Sequence, residues 1–113
     1  MAYTATVKLD GDTKTYELSK AVKKYTLMDL GFVKGRSGAF SFERSLDPNS
    51  PYQAAFKLKV AVNADLTGFK MSTVTGNGMQ RANIFKNDAH PETVEQLRFT
   101  LQNFIDRDVL VEK

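Results

Sequence analysis

Few side chains in this sequence are placed to do chemistry, and the first of them is Arg44. It lies in Ala39–Leu46, where Phe40, Phe42 and Leu46 share its parity along an alternating stretch. A guanidinium on the apolar side of a strand has three outcomes. It pairs with a neighbouring acid, it reaches water at the strand end, or it clamps a carboxylate or phosphate. Glu43 and Asp47 are the nearby acids. Arg81, within Met79–Phe85, has the same choices. Between them lies Thr75-Gly76-Asn77-Gly78, the richest small-residue loop. Glycines flanking Asn77 expose backbone N–H groups to an anion. The plain alternative is a turn, as for Gly35-Arg36-Ser37-Gly38. The loop is neither a P-loop nor a dinucleotide fingerprint. Arg44, Arg81, Gly76, Asn77 and Gly78 are therefore the candidate ligand-binding residues, two arginines to hold a carboxylate and a loop to donate N–H groups.

No catalytic set stands out. His90 is the sole histidine and the chain has no cysteine, so a usual zinc site is not expected. His90 precedes Pro91 and suits a helix cap. Asp88-Ala89-His90 holds an acid and an imidazole without an indicated nucleophile. The acids form no close inward pair of the kind that glycoside hydrolysis needs. Neither a metal nor a cofactor is expected, and whether the chain is an enzyme stays open.

Lys57, Lys59 and Lys70 share a parity with Gln53 and Ser72 and predict one polar, positive sheet face. RNA-binding sheets place aromatic residues among such cations so that bases can stack. Here the aromatics take the opposite parity, which argues against nucleic acid. The overall charge of +3 is also low for a polyanion binder. Its spread is uneven. Residues 1–86 hold 13 Lys/Arg against 7 Asp/Glu, and residues 87–113 hold 3 against 6. A basic sheet half packed on an acidic helical half accounts for that split, as does an anionic ligand on the sheet side.

These side chains need a scaffold, and the last quarter of the chain supplies its clearest element. In Pro91–Arg107, Val94, Leu97, Leu101, Phe104 and Ile105 fall on one helical face. Pro91 suits the first helical position, and Glu92 and Glu95 sit near the positive end of the helix dipole. Most of what precedes reads as strand. Ala2–Leu9 and Thr13–Leu18 flank the turn Asp10-Gly11-Asp12 and predict a hairpin. Tyr52–Asn63 and Phe69–Thr75 predict a second. Ala39–Leu46, Phe32–Lys34 and Met79–Phe85 are further strands. Ser19 is a candidate N-cap for a short helix bearing Ala21, Val22, Tyr25 and Met28 on one face and Gly31 beyond its end. The apolar tail around Val109–Val111 is expected to dock as a short strand.

At 113 residues the chain is expected to form a single domain, 1–113. Its start has no run apolar enough for a signal peptide, and no segment nears the roughly 20 apolar residues of a membrane span. A cytoplasmic protein is expected. Strands followed by a helix imply an α+β fold with antiparallel pairing.

Several stretches together carry a resemblance: Leu30-Gly31-Phe32, Arg44-Ser45-Leu46-Asp47-Pro48, Phe56-Lys57-Leu58-Lys59, Leu66-Thr67-Gly68-Phe69-Lys70 and Asn83-Ile84-Phe85. With the helix and tail, the whole chain resembles a small family of uncharacterised proteins from lactic acid bacteria and their relatives, classed as a domain of unknown function. The resemblance implies two antiparallel β-sheets packed on one main C-terminal helix, and a role in amino-acid metabolism. It also implies a remote likeness of fold to prokaryotic S-adenosylmethionine decarboxylases. Those enzymes self-cleave at a serine and use a cysteine as acid. This chain lacks cysteine, so that chemistry does not carry over.

Two functional expectations follow. One is an accessory or ligand-binding role in amino-acid metabolism, the ligand being a small carboxylate-bearing metabolite. The alternative is a protein–protein interaction module that uses a sheet edge or the basic face. The sequence leaves the oligomeric state open.

Overall fold

The computed structural model describes residues 3–9, 11–46, 56–75, 80–81, 83–85 and 91–112. Alternation at 56–62 and 69–75 builds the two longest strands of the larger sheet. Its strands are β3 (Val33–Lys34), β4 (Phe40–Ser45), β5 (Phe56–Val62) and β6 (Phe69–Thr75), antiparallel and in that spatial order. Val60 pairs with Phe42 on one side and Met71 on the other, and Val62 pairs with Phe40 and Phe69. Paired residues face the same way, so Phe40, Leu58, Val60, Val62, Phe69 and Met71 make one buried face. Val33, Ser41, Glu43, Lys57, Lys59, Ala61, Lys70 and Ser72 make the other.

The smaller sheet orders β1 (Thr6–Val7), β2 (Tyr16–Leu18) and β7 (Leu110–Glu112) as β1-β2-β7. The N-terminal hairpin and the docked tail are as expected. The first strand is shorter than its alternation implies, and Tyr3 and Ala5 are exposed. The reason is a competing partner. Thr4 bridges Phe69 through two backbone hydrogen bonds of 3.0 and 2.8 Å, which ties the N-terminus to β6.

The long helix, α2 (Pro91–Asp106), buries Leu97, Leu101 and Phe104, with Val94 and Ile105 half-buried beside them. Phe104 meets Phe32 and Phe42 at ring-centroid distances of 5.7 and 5.2 Å, and those two rings stack at 5.1 Å. One apolar cluster thus joins the helix, both sheets and the segment around Leu27. At its end the N–H groups of Asp108 and Val109 bond the carbonyls of Ile105 and Phe104. Asp108 takes φ 61°, the left-handed C′ conformation of a Schellman motif.

Two expected elements differ. The short helix α1 spans Lys24–Asp29 and does not start near Ser19. The Ser19 hydroxyl oxygen accepts the Ala21 N–H at 3.1 Å, and Val22 N–H bonds the Ser19 carbonyl, so these residues form a turn. The later start rotates the inward face. Leu27 and Val22 are buried, whereas Tyr25 and Met28 are 63% and 58% exposed. Gly31 does close the helix, at φ 106°, with Gly31 and Phe32 N–H bonding Met28 and Leu27 carbonyls. The second difference is Met79–Phe85. Among its described residues there is a single bridge, Arg81 to Val74, and the Asn83 side chain accepts the Phe85 N–H at 3.0 Å. That local bond offers the backbone an alternative to a ladder.

Candidate functional site

The outward face of the larger sheet carries an open groove of about 730 Å³. Strand register lays its side chains in rows. Val33, Ser41, Ala61 and Lys70 form one row across all four strands, and Glu43, Lys59 and Ser72 form the next. Small side chains at Ser41 and Ala61 make the depression, because tall neighbours flank them. Lys70 rises on one side and holds its Nζ 4.8 Å from the Tyr3 ring centroid. Glu43 rises on the other, with Oε1 3.2 Å from Lys57 Nζ and Oε2 3.7 Å from Lys59 Nζ. The expected basic face therefore exists, and one carboxylate stands within it. Ion pairs this exposed contribute about 0–1 kcal/mol, so a ligand replaces the looser Lys59 contact at little cost.

The expected ligand residues do not converge here. Arg44 is exposed, although its cross-strand partner Leu58 is fully buried. Arg44 pairs with Leu58, which pairs with Thr73, and Arg81 bridges Val74 on the far side of β6. Thr73 and Val74 are consecutive residues of β6 and point to opposite faces, so the register sets the two arginines on opposite faces of the sheet. Gly76, Asn77, Gly78 and His90 lie outside the described residues. No group of three or more His, Asp or Glu among the described residues is placed to hold a metal ion. Nor is any helix among them long and apolar enough to cross a membrane.

The family model for DUF1831, described as "Putative amino acid metabolism", matches residues 1–111. The crystal structure of a DUF1831 family protein from Lactobacillus plantarum, at 1.20 Å resolution, is 84% identical. It covers 100% of this chain and 99% of its own, with a TM-score of 0.95. This chain belongs to the DUF1831 family. No curated protein matches it.

The DUF1831 chain has a second polar cluster, which sequence reasoning missed. Asp12 is 3% exposed, and among the described residues it is the buried charged side chain. Arg98 donates Nη2–H to its Oδ1 at 2.6 Å and Nη1–H to its Oδ2 at 2.9 Å, a bidentate pair. Nη1 also donates to the Tyr16 hydroxyl at 2.9 Å, and the guanidinium carbon lies 5.1 Å from the Phe85 ring centroid. Burial pushes the Asp12 carboxyl up. The Arg98 hydrogen bonds and charge, with the Lys14 and Thr13 N–H groups, outweigh burial and hold it below its ordinary value. Burial lifts the Tyr16 phenol above its own. A cleft of about 400 Å³ opens beside the cluster, between Gly11, Thr13, Phe85, Pro91 and Val94.

This arrangement is closed. The Asp12 carboxylate already meets the Arg98 charge, so the cluster works as a tie between the N-terminal hairpin and α2. One signal for it was present. Arg98 stands four residues after Val94 and three before Leu101, on the border of the apolar stripe. Nothing in the sequence separates Asp12 from Asp10 as its partner.

Proposed function

We propose that this DUF1831 protein binds a small carboxylate-bearing metabolite of amino-acid metabolism in the outer-face groove of its larger sheet, in an accessory role. The observation that carries this reading is the juxtaposition of Lys59 and Lys70 over the floor of Ser41 and Ala61. Two ammonium groups on a rigid antiparallel sheet attract an anion. Small floor residues leave room for the rest of the molecule. The volume falls in the range of small-molecule sites, and the description of the family agrees with such a ligand.

Calorimetry against a panel of amino acids and organic acids tests it, with melting temperature as a second readout. A ligand that binds the native state raises the melting temperature. Binding should weaken with added salt and vanish in the double variant Lys59→Ala plus Lys70→Ala. A panel without a single binder, or binding that survives the double variant, refutes the reading.

A second reading rests on a different observation. β3 is an outer strand among the described residues and leaves Val33 66% exposed. An outer strand can accept an extended peptide from a partner protein. Recovery of a stoichiometric partner that is lost when Val33→Lys is introduced would favour it. A chain that runs alone in cell extract would count against it.

A further inference from the structure

The signs of charge along the groove specify more than an anion. Its lining holds two ammonium groups, Lys59 and Lys70, and one carboxylate, Glu43. From this we infer that the groove's ligand is a dicarboxylic α-amino acid, a molecule with two carboxylates and one ammonium. The inference rests on the groove being the ligand site, as proposed above.

The register makes the match spatial as well as numerical. Glu43 and Lys59 are directly opposed across β4 and β5, which sets their Cβ atoms about 4.5–5.5 Å apart. Lys59 opposes Ser72, and Lys70 lies two residues before Ser72, so the two lysines are diagonal neighbours, about 7–8 Å apart. One ligand carboxylate thus meets Lys59 beside Glu43, and the second meets Lys70.

The existing contacts leave this exchange open. Lys57 holds Glu43 Oε1 at 3.2 Å, and Lys57 is not part of the groove lining. Lys59 approaches Oε2 at a looser 3.7 Å. A ligand ammonium that takes Oε2 therefore releases Lys59 for the adjacent ligand carboxylate. Lys57 keeps the Glu43 side chain in place meanwhile. Lys70 is positioned from outside the groove by the Tyr3 ring. The Val33 and Ala61 surfaces face the methylene stem that joins the two ligand carboxylates.

Calorimetric titration with L-glutamate, L-aspartate, glutarate and L-glutamine decides the matter on the unmodified chain. Glutarate keeps both carboxylates and lacks the amine; L-glutamine keeps the α-amino acid and loses the second carboxylate. The expected result is that L-glutamate or L-aspartate binds roughly tenfold or more tightly than either control. Glu43→Gln should then erase the preference over glutarate while leaving the preference over glutamine.

Glutarate that binds as well as L-glutamate overturns the inference while the groove reading survives, provided Lys59→Ala plus Lys70→Ala abolishes both. L-glutamine that binds as well as L-glutamate does the same. A preference that persists undiminished in Glu43→Gln also overturns it. No binding by any of the four compounds overturns it, and a wider panel that is equally silent removes the groove reading as well. Glu43 is half-exposed, so the melting temperature of its variant serves as the control for folding.

Discussion

Arg98 and Asp12 are 86 residues apart in sequence and joined by two hydrogen bonds of 2.6 and 2.9 Å. The acid is buried in the turn that ends the first hairpin strand, and the base comes from the middle of α2. Neither the β1–β2 hairpin nor the helix can satisfy its half of the pair alone. The tie therefore forms when the two layers meet, and Tyr16 and Phe85 close around it.

Removing Arg98 leaves the Asp12 carboxylate buried without its partner, which typically costs about 3–5 kcal/mol. Arg98→Ala should lower stability by about that much, and the melting temperature by on the order of 10 °C or more. Chemical denaturation of the variant beside the parent chain checks this. A change below about 1 kcal/mol would show that the pair is no tie.

The same pair sets a pH dependence. The folded Asp12 carboxyl titrates below its ordinary value of 3.8. Its contribution to stability is therefore fully present above that value and is lost as pH falls through the lower, folded one. The folded Tyr16 phenol titrates above its ordinary value of 10.0. Its contribution is present below that value and is lost as pH rises through the higher, folded one. Denaturation midpoints across the acid range should fall less steeply in Asp12→Ala. Across the alkaline range they should fall less steeply in Tyr16→Phe.

Gly11 has φ 82°, and a Cβ there would overlap the Asn83 side-chain amide. Gly11→Ala carries both penalties and should destabilise by about 1–3 kcal/mol. Asn83→Ala on that background removes the overlap and leaves the backbone strain. The double variant should therefore be less destabilised than the two single costs combined, as a double-mutant cycle would reveal.

Asp108 takes the left-handed conformation at the end of α2 without being glycine. Asp108→Gly relieves that strain and should stabilise the chain by about 0.5–1 kcal/mol. The gain is net of the extra freedom that glycine has when unfolded. A loss of stability on thermal denaturation would mean that the Asp108 side chain contributes a contact worth more than the strain.

Legibility differed by element for physical reasons. Where one period ran long, as in Val94–Ile105 and Phe56–Val62, the face was readable because both ends of the element agree with its stripe. The residues after Ser19 carry helical spacing, yet a side-chain bond to Ala21 turns the chain first. Tyr25 and Met28 then face outward. Met79–Phe85 has strand-like composition, but the Asn83 side-chain Oδ1 accepts the Phe85 N–H and bends its backbone locally. Arg44 and Arg81 each drew notice for their neighbours along the chain. Cross-strand register then sets them on opposite faces of the sheet, and register is not a local property.

Local pattern by itself determined the α+β class, the main helix and its inward face, the two hairpins and the polarity of the outer sheet face. Periods of 2.0 and 3.6 residues are properties of adjacent side chains and need no knowledge of the rest of the molecule. Tertiary structure decided which side chains meet. It placed Glu43 between Lys57 and Lys59, set Lys70 against Tyr3, and brought Arg98 to Asp12. Each of those meetings depends on strand order and on the docking of the layers, which arise from burying one shared apolar core, and no spacing within a single segment encodes them.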